Sequence, residues 1–393
     1  MIRNGKKKAI SCALVAAMSV GLVACGTTSY DFKVSYDGIK KGDVSSKVSV
    51  HDPSILKADG EYYIFGSHMS AAKSSDLLNW EKVADGYSKK NPVYGQIYDV
   101  ADEAFAYSGS KNSLIKTDDK QVHVWAPDVI YNETTGLYYM YYCTTSTWNA
   151  SNLCYGTSTT PEGPYEWQGA LIYSGFNRKT ISGTDVLDYV DDDYAYKNYI
   201  KGAQYNYEDY PNAIDPTVFY DADGRMWMVY GSWSGGIFLL EIDKTTGLVI
   251  HPEADKANNV DPYYGKRLLG GGHISIEGPY IMYVETSGYY YLFVSYGALT
   301  SNGGYQVRVF RSKTVDGEYV DMNGKYPEKS AQHQNYGLKL TGNYKLPSLE
   351  KAYMATGHNS AFVDDDGRMY LVYHTRFNDN GEGHSCLLYT SPS

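Results

Sequence analysis

The sequence predicts an all-β protein built as a five-bladed β-propeller. Its 393 residues include 42 tyrosines and 39 glycines, and this composition favours short strands and tight turns over helices. A turn motif followed by an aromatic strand also recurs five times along the chain. Antiparallel units that repeat in this way are typical of a propeller, in which each repeat forms one blade.

Each repeat begins with a turn motif that carries an acid or a histidine, and a second turn then leads into the aromatic strand. Turns such as Asp59-Gly60 between apolar runs are typical of β-hairpins. Because the first strand of every blade lines the central channel, we expect the five motif positions to meet at one mouth of that channel. The positions are Asp52, Asp128, Asp215, Glu277 and His358.

Two stretches, 85–120 and 176–212, interrupt the repeats. The first contains Gln96 to Tyr107, whose apolar positions are compatible with a short helix. The second is acidic and rich in tyrosine. Each is either a solvated insertion or a wall of a substrate groove, and the sequence leaves both interpretations open.

The first 24 residues have the pattern of a secretory signal, a basic start followed by an apolar run. The run Leu22-Val23-Ala24-Cys25-Gly26 resembles a bacterial lipobox, which makes Cys25 the site of lipid attachment. Residues 25–47 then form a polar tether, and 48–384 form the propeller. The alternative is an uncleaved membrane anchor, although 16 apolar residues are short for a span. We therefore expect a cell-surface or extracellular lipoprotein that meets the membrane only through its lipid.

Charge and cysteine content limit the function classes further. The net charge of −10 argues against a nucleic-acid partner, which would require a basic face. Cys143 and Cys154 lie at the end of one apparent strand and the start of the next. They are either a disulfide across a hairpin or two buried free thiols.

Asp52, Asp215 and Glu277 are three carboxylates in corresponding motifs. Glycoside hydrolysis needs a carboxylic acid on one side of the scissile bond and a carboxylate on the other, with room for water in an inverting enzyme. A third carboxylate raises the pKa of the acid by repulsion. Aromatic residues, 15% of the chain, provide flat faces for sugar rings, and the negative charge suits a neutral sugar. The pattern indicates a glycoside hydrolase.

Six motifs between about Val48 and His384 resemble those of family-43 glycoside hydrolases, and most closely those of bacterial endo-α-1,5-L-arabinanases. Their order along the chain makes the resemblance specific. The motifs are His51–Ser54, Trp125–Asp128, Asn212–Pro216, Tyr230–Ile237, Ile276–Tyr280 and Gly357–Ser360.

The resemblance implies a five-bladed propeller that cleaves internal bonds of arabinan with inversion. It makes Asp52 the general base, Glu277 the general acid and Asp215 the residue that tunes the pKa of Glu277 and orients it. It also implies a calcium ion in the central channel, which His358 faces through water, and it makes Asp128 structural.

Further candidates lie in loops beside the repeat motifs, where their side chains could contact a sugar. Either tryptophan in this set can stack on an arabinose ring, although Trp233 can also pack between blades. The candidate substrate-binding residues are Trp148, Asn149, Ser151, Trp233, Ser234 and His273.

Two alternative functions remain open at this stage. One is another activity of the same family, an exo-acting β-xylosidase or α-L-arabinofuranosidase, or a xylanase. The other is a non-catalytic, glycan-binding surface lipoprotein, against which the three retained carboxylates argue. In every case we expect a monomer.

The segment 385–393 departs from the family pattern, which would continue into another strand. We interpret it as a truncation that leaves the fifth blade without its outer strands. Such a blade would expose a sheet edge and weaken closure of the ring.

Overall fold

The strands of this computed structural model follow the predicted repeats and confirm an all-β propeller. The predicted signal segment, Cys25 and nearly all of the tether lie outside the described residues. Among the residues that are described, no helix is long and apolar enough to cross a lipid bilayer. The structure describes residues 45–46, 48–117, 121–147, 149–327, 335–345, 351–377 and 386–390.

The first two sheets correspond to the first two repeats. The first has the order β1-β5-β4-β3-β2 and the second the order β6-β7-β8-β9, antiparallel except for the parallel pair β1 and β5. The strands of the first sheet are β1 (Ser45–Ser46), β2 (Ser54–Ala58), β3 (Glu61–Gly66), β4 (Ser70–Ser74) and β5 (Asn79–Ala84). Those of the second are β6 (Val124–Asn132), β7 (Leu137–Thr147), β8 (Ala150–Ser158) and β9 (Glu166–Tyr173).

The predicted tether ends earlier than the sequence suggested. Ser45 and Ser46 pair in parallel with Asn79 and Trp80 of β5. The first strand of the sheet therefore begins inside the stretch 25–47, so the predicted boundary at residue 48 is too late.

The two insertions contain the short helices of the described chain. In the first insertion the predicted helix is present as two short helices rather than one. The second insertion also contains the hairpin β10 (Ile200–Lys201) and β11 (Gln204–Tyr205). The helices are α1 (Gly95–Asp99), α2 (Ala101–Ala104), α3 (Val186–Tyr189) and α4 (Asp192–Asn198), with 3₁₀ turns at Ile181–Gly183 and Lys256–Asn258.

The third sheet has the order β12-β13-β14-β17-β16, with β15 paired to β14. A seven-stranded sheet then carries the fourth and fifth repeats, joined by the single parallel pair Gln306 and Thr356. The strands of the third sheet are β12 (Thr217–Tyr220), β13 (Met226–Tyr230), β14 (Ile237–Ile242), β15 (Val249–Ile250), β16 (Val260–Asp261) and β17 (Gly265–Leu269). Those of the last sheet are β18 (Ile276–Val284), β19 (Tyr289–Tyr296), β20 (Gln306–Ser312), β21 (Leu338–Lys339), β22 (Tyr353–Val363), β23 (Met369–Phe377) and β24 (Cys386–Thr390).

The C-terminal segment forms a strand, contrary to the prediction for 385–393. Cys386–Thr390 pairs antiparallel with β23, with Thr375 opposite Cys386 and Leu371 opposite Thr390. The expected absence of a further strand is therefore wrong for this stretch.

The aromatic strands are apolar on both faces because each sheet lies between two others. On β7, Tyr139 and Tyr141 pack in a core shared with the third sheet, whereas Met140 and Tyr142 pack in a core shared with the first. Successive side chains of a strand point to opposite faces. The high tyrosine content thus fills the interfaces between blades.

The same alternation decides the state of the two cysteines. Cys143 lies opposite Leu153, and Cys154 lies opposite Tyr142. Cys143 belongs to the core on one face of the sheet and Cys154 to the core on the other. Both are buried free thiols, so the disulfide alternative is wrong.

Each repeat has a residue in the left-handed conformation at a corresponding place, either within its first strand or two residues before that strand begins. At this place β6, β18 and β22 also shift register against their partners. A bulge of this kind re-aims the neighbouring side chains. The left-handed residues are Asp52, Ala126, Asp215, Gly278 and His358.

This geometry corrects the predicted register of the repeats. Asp52, Asp215 and His358 are equivalent, but Glu277 stands one residue before the left-handed position and Asp128 two residues after it. The sequence motifs match one another by the position of an acidic residue or histidine. The backbones of the repeats instead match one another by the position of the left-handed residue. Asp128 therefore belongs to a different ring of residues from Asp52 and Asp215.

Residues two positions after the bulge join neighbouring blades. The Ser54 hydroxyl donates to Asp128 Oδ1, and the Val218 amide donates to Asp128 Oδ2 at 2.7 Å. The Thr217 hydroxyl donates to the carbonyl of Pro279 at 2.7 Å. Asp128 thus links the first strands of three repeats, which agrees with its expected structural role.

The same kind of contact continues through the fourth and fifth repeats. The Tyr280 hydroxyl donates to the carbonyl of Ala361 at 2.6 Å. The Ile55 amide donates to Ser360 Oγ at 3.2 Å, which returns the chain of hydrogen bonds to β2. These bonds join the first strands of the five repeats in a closed order.

Candidate active site

Asp52 is surrounded by the imidazoles of three histidines and by one hydroxyl. Its Oδ2 lies 2.8 Å from His51 Nδ1 and accepts a hydrogen bond from Ser67 Oγ at 2.5 Å. Its Oδ1 lies 3.1 Å from His358 Nδ1. The Asp52 amide donates to His374 Nδ1 at 3.3 Å, which fixes the backbone at the bulge.

These neighbours keep Asp52 ionised. Burial alone would raise the pKa of Asp52, but the imidazoles of His358 and His51 outweigh burial and hold that pKa well below its ordinary value. The side chain is 12% exposed, so water can still reach it. An ionised, partly accessible carboxylate has the properties of a general base.

Glu277 lies one residue before the bulge in β18 and is held by three side-chain donors. Trp233 Nε1 and Ser232 Oγ donate to Oε2 at 2.8 and 3.0 Å. The Tyr305 hydroxyl donates to Oε1 at 2.8 Å. Burial raises the pKa of Glu277, although His358 and the donors Tyr305 and Ser232 oppose it.

Asp215 is tied to the backbone beside Glu277. The Gly278 amide donates to Asp215 Oδ2 at 3.2 Å. Burial, followed by repulsion from Glu277 and Asp52, raises the pKa of Asp215 well above its ordinary value. Asp215 and Glu277 therefore form a pair that retains a proton to higher pH than an isolated carboxyl group.

His374 is a site residue that the sequence analysis missed. It lies in β23, its ring stacks on His51 at 4.1 Å between centroids, and burial lowers its pKa to about 3. A neutral imidazole at this place accepts a hydrogen bond from the Asp52 amide. The sequence offered one indication, that His374 belongs to the fifth aromatic strand. Its contacts with His51 and Asp52 become evident only when the repeats are packed together.

The predicted residues Trp233 and His273 lie together on the Glu277 side of the site. Their rings are 5.4 Å apart, and Tyr207 packs edge-on against His273 at 5.7 Å. His273 and Tyr207 are exposed. Tyr207 comes from the second insertion, so this insertion contributes an aromatic wall that continues outward from the acid.

The first insertion contributes to the Asp52 side. The exposed His68 lies beside His51, with ring centroids 6.3 Å apart, and its Nδ1 lies 3.0 Å from the Tyr87 hydroxyl. His68 and Tyr87 line a cleft of about 550 Å³. Both insertions thus border the region around the carboxylates, which favours the groove-wall interpretation.

Ser151 and Ser234 are not placed to bind a sugar, contrary to the prediction. Ser151 is fully buried, donates to Asn212 Oδ1 at 2.8 Å and lies 2.8 Å from the hydroxyl oxygen of Thr145. Ser234 is 2% exposed and pairs through its backbone with His273. Both serines support loops because their side chains face the interior.

The last two predicted substrate-binding residues are Asn149 and Trp148. Asn149 is half-buried, and its carbonyl accepts a hydrogen bond from Ser174 Oγ at 3.0 Å. Trp148 lies outside the described residues.

The cluster around Asp52 contains the side chains nearest to the calcium site that the resemblance implies. His51, Asp52 and His374 place potential ligand atoms within 4.8 Å of one another, and His358 joins them through its contact with Asp52. Calcium takes six to eight oxygen ligands. A set with one carboxylate and several imidazoles fits calcium only when water provides most of the shell.

Comparison with known proteins identifies the family. Residues 44–208 and 190–387 match the sequence profile of glycosyl hydrolases family 43. The chain belongs to this family. The fold described above is therefore that of a family-43 glycoside hydrolase.

Two bacterial proteins similar to this chain are named arabinanases. An extracellular endo-α-(1→5)-L-arabinanase of Thermotoga petrophila is 39% identical over 346 residues, which cover 85% of this chain and 66% of that protein. The extracellular endo-α-(1→5)-L-arabinanase 2 of Bacillus subtilis is 36% identical over 367 residues, covering 87% and 67%. The family-43 chain thus spans about two thirds of the length of these relatives.

A solved structure shows the same relationship. The crystal structure of endo-1,5-α-L-arabinanase from Thermotoga petrophila superimposes with a TM-score of 0.72 at 37% identity, covering 88% of this chain and 72% of that one.

Proposed function

We propose that this protein is an inverting endo-α-1,5-L-arabinanase that cleaves internal bonds of arabinan. The observation that carries this proposal is the opposite displacement of two carboxyl pKa values, with Asp52 held low and Glu277 raised. Environments that separate two carboxyl groups in this way assign one as base and the other as acid. The named relatives supply the substrate class.

The residues act in one concerted step. Asp52 accepts a proton from a water molecule, and the water oxygen forms a bond to the anomeric carbon of the arabinofuranosyl unit. The glycosidic C–O bond breaks, its electron pair stays on the leaving oxygen, and Glu277 protonates that oxygen. Asp215 orients Glu277 through Gly278 and favours the protonated acid by repulsion.

The outward wall of Trp233, His273 and Tyr207 supports a polymeric sugar substrate. Aromatic faces and exposed imidazole edges suit a neutral furanose chain, and the net charge of −10 disfavours an anionic one. The exo-acting and xylan-active alternatives, and the non-catalytic one, have less support because the more similar relatives are named endo-arabinanases.

We also propose that a hydrated calcium ion lies beside His358 in the channel. Such an ion would add positive charge near Asp52, which favours its ionised form. The chemistry of the donor set supports an ion held largely through water, which His358 and Asp52 would face.

The proposal also covers the number of blades, the location of the protein and its oligomeric state. The closed order of hydrogen bonds between first strands supports five blades, with β22 to β24 as the fifth. The relatives named extracellular support an extracellular protein, and the lipobox-like run supports lipid attachment at Cys25 after removal of residues 1–24. We further propose a monomer, which meets the membrane only through that lipid.

Hydrolysis of linear debranched arabinan, with linear xylan as comparison, tests the activity. The wild type should release reducing ends from arabinan, whereas Glu277→Gln and Asp52→Asn should lose at least about a thousandfold in rate. Asp223→Asn, in an exposed turn, is the matched control and should act like the wild type. Cleavage of xylan alone, or full activity of Glu277→Gln, would overturn the proposal.

A further inference from the structure

The three donors to Glu277 divide unequally between its two oxygens. Oε2 receives two, from Trp233 and Ser232, and Oε1 receives one, from Tyr305. Three donors suit an ionised carboxylate, because both of its oxygens only accept hydrogen bonds. A general acid carries a proton before it reacts, so at least one of the three contacts must change when Glu277 is protonated.

The donors differ in whether they can change. An indole N–H only donates, so Trp233 cannot accept a proton from Glu277. A phenol hydroxyl donates or accepts according to how its hydrogen is turned. Of the two partners of Oε2, the Ser232 hydroxyl can reverse but the Trp233 N–H cannot. Oε2 is therefore the poorer position for the acidic proton, because a protonated oxygen is a weaker acceptor for the fixed Trp233 N–H. Oε1 faces Tyr305, which can.

The oxygen of Tyr305 is held in place, and a phenol hydrogen turns about its C–O bond. The residue is 1% exposed, and its ring stacks on His374 with centroids 5.8 Å apart and planes 12° apart. Gly357 packs directly against it, since a Cβ there would lie 2.3 Å from Tyr305 Cε1. The ring cannot swing away, so its hydroxyl oxygen stays beside Oε1.

Tyr305 also keeps its hydrogen throughout the reaction. Burial, followed by the negative charges of Glu277 and Asp52, raises its pKa well above the ordinary value. The groups that face Glu277 are thus one neutral phenol, the imidazole of His358 and the carboxyl groups of Asp52 and Asp215.

We propose that Oε1 is the oxygen that delivers the proton, and that Tyr305 is a positioning residue that turns from acceptor to donor as the proton leaves. Trp233 keeps Oε2 as an acceptor throughout. The Oε1–H group donates to Tyr305 in the free enzyme and turns to the leaving oxygen when substrate binds. Its O–H bond then breaks, a new O–H bond forms on the leaving oxygen, and the Tyr305 hydroxyl turns to donate to Oε1. This inference rests on the proposed function, because it assumes that Glu277 is the acid.

The turned hydroxyl stabilises the carboxylate that forms during bond cleavage. Its contribution therefore depends on how much the leaving group needs a proton. A sugar alcohol needs one, whereas 4-nitrophenol leaves readily as its anion. Loss of the hydroxyl should slow the first reaction much more than the second, and it should raise the pKa of Glu277.

The test compares Tyr305→Phe with the wild type on a linear arabinotetraose and on an arabinotrioside of 4-nitrophenol. We expect kcat/KM to fall about tenfold on the first and less than about twofold on the second. The alkaline limb of the pH profile should move up by about one pH unit. Trp233→Phe should show the same dependence on leaving group, and it carries the test if Tyr305→Phe does not fold.

Tyr319→Phe is the matched control, because Tyr319 is a fully buried tyrosine that donates to the carbonyl of Val315 at 2.8 Å. It should leave both rates unchanged. An equal loss on both substrates with an unmoved alkaline limb would overturn the inference and leave Tyr305 a packing role. A folded wild type that cleaves neither substrate would instead overturn the proposed function.

Discussion

Replacement of Asp128 by asparagine should stabilise the protein at neutral pH. Asp128 is buried between three repeats, where it accepts hydrogen bonds from Ser54 and Val218. Burial raises its pKa from an ordinary 3.8 to about 6. At about 1.4 kcal/mol per pKa unit, the ionised form costs the folded state about 3 kcal/mol relative to the neutral form.

The sign of the pH dependence follows from the raised pKa. Below about pH 4 Asp128 is protonated in both folded and unfolded chains, so its favourable contribution is fully present. That contribution is lost as the pH rises through about 6. An asparagine keeps an acceptor for the Val218 amide and stays neutral at every pH.

Urea unfolding of wild type and Asp128→Asn at pH 4 and pH 7.5 measures the effect. The free energy of unfolding of the variant should gain on the wild type by up to about 3 kcal/mol between the two pH values. Asp223→Asn, in an exposed turn, should show no such change. A difference between Asp128→Asn and wild type that does not vary with pH would refute the reasoning.

Three further predictions concern the groove, the packing and the thiols. Tyr207→Ala should raise KM for long arabino-oligosaccharides several-fold and leave kcat unchanged, and an unchanged KM would remove Tyr207 from the groove wall. Gly236→Ala should lower the free energy of unfolding by several kcal/mol, because its φ is +100° and an added Cβ would lie 2.1 Å from the carbonyl oxygen of Leu269; a melting temperature equal to that of the wild type would contradict this. Reductant should not change the melting temperature, since Cys143 and Cys154 are free, and a marked drop would indicate a disulfide.

The sequence predicted the propeller and the catalytic carboxylates because both are encoded locally. Aromatic strands bounded by turns specify the hairpins, and Asp52, Asp215 and Glu277 stand out beside them. The exact register of the repeats was not predictable in the same way. It depends on a bulge at Ala126 and Gly278, where no acidic side chain marks the backbone conformation.

Other parts of the site depend on contacts between distant repeats. His374 reaches Asp52 only when the fifth repeat packs against the first. Tyr305 reaches Glu277 only when β18 and β19 have folded as a hairpin, and neither residue lies in a distinctive motif. Ser151 was expected to be exposed, because it is a polar residue that follows an aromatic strand in the sequence. Its hydrogen bond to Asn212 of the next repeat places it in the interior instead.

The most direct test of the account is the early product profile from linear debranched arabinan. Chromatography at low conversion should show a ladder of arabino-oligosaccharides, because an endo enzyme cleaves internal bonds. Arabinose as the sole early product would contradict the endo assignment.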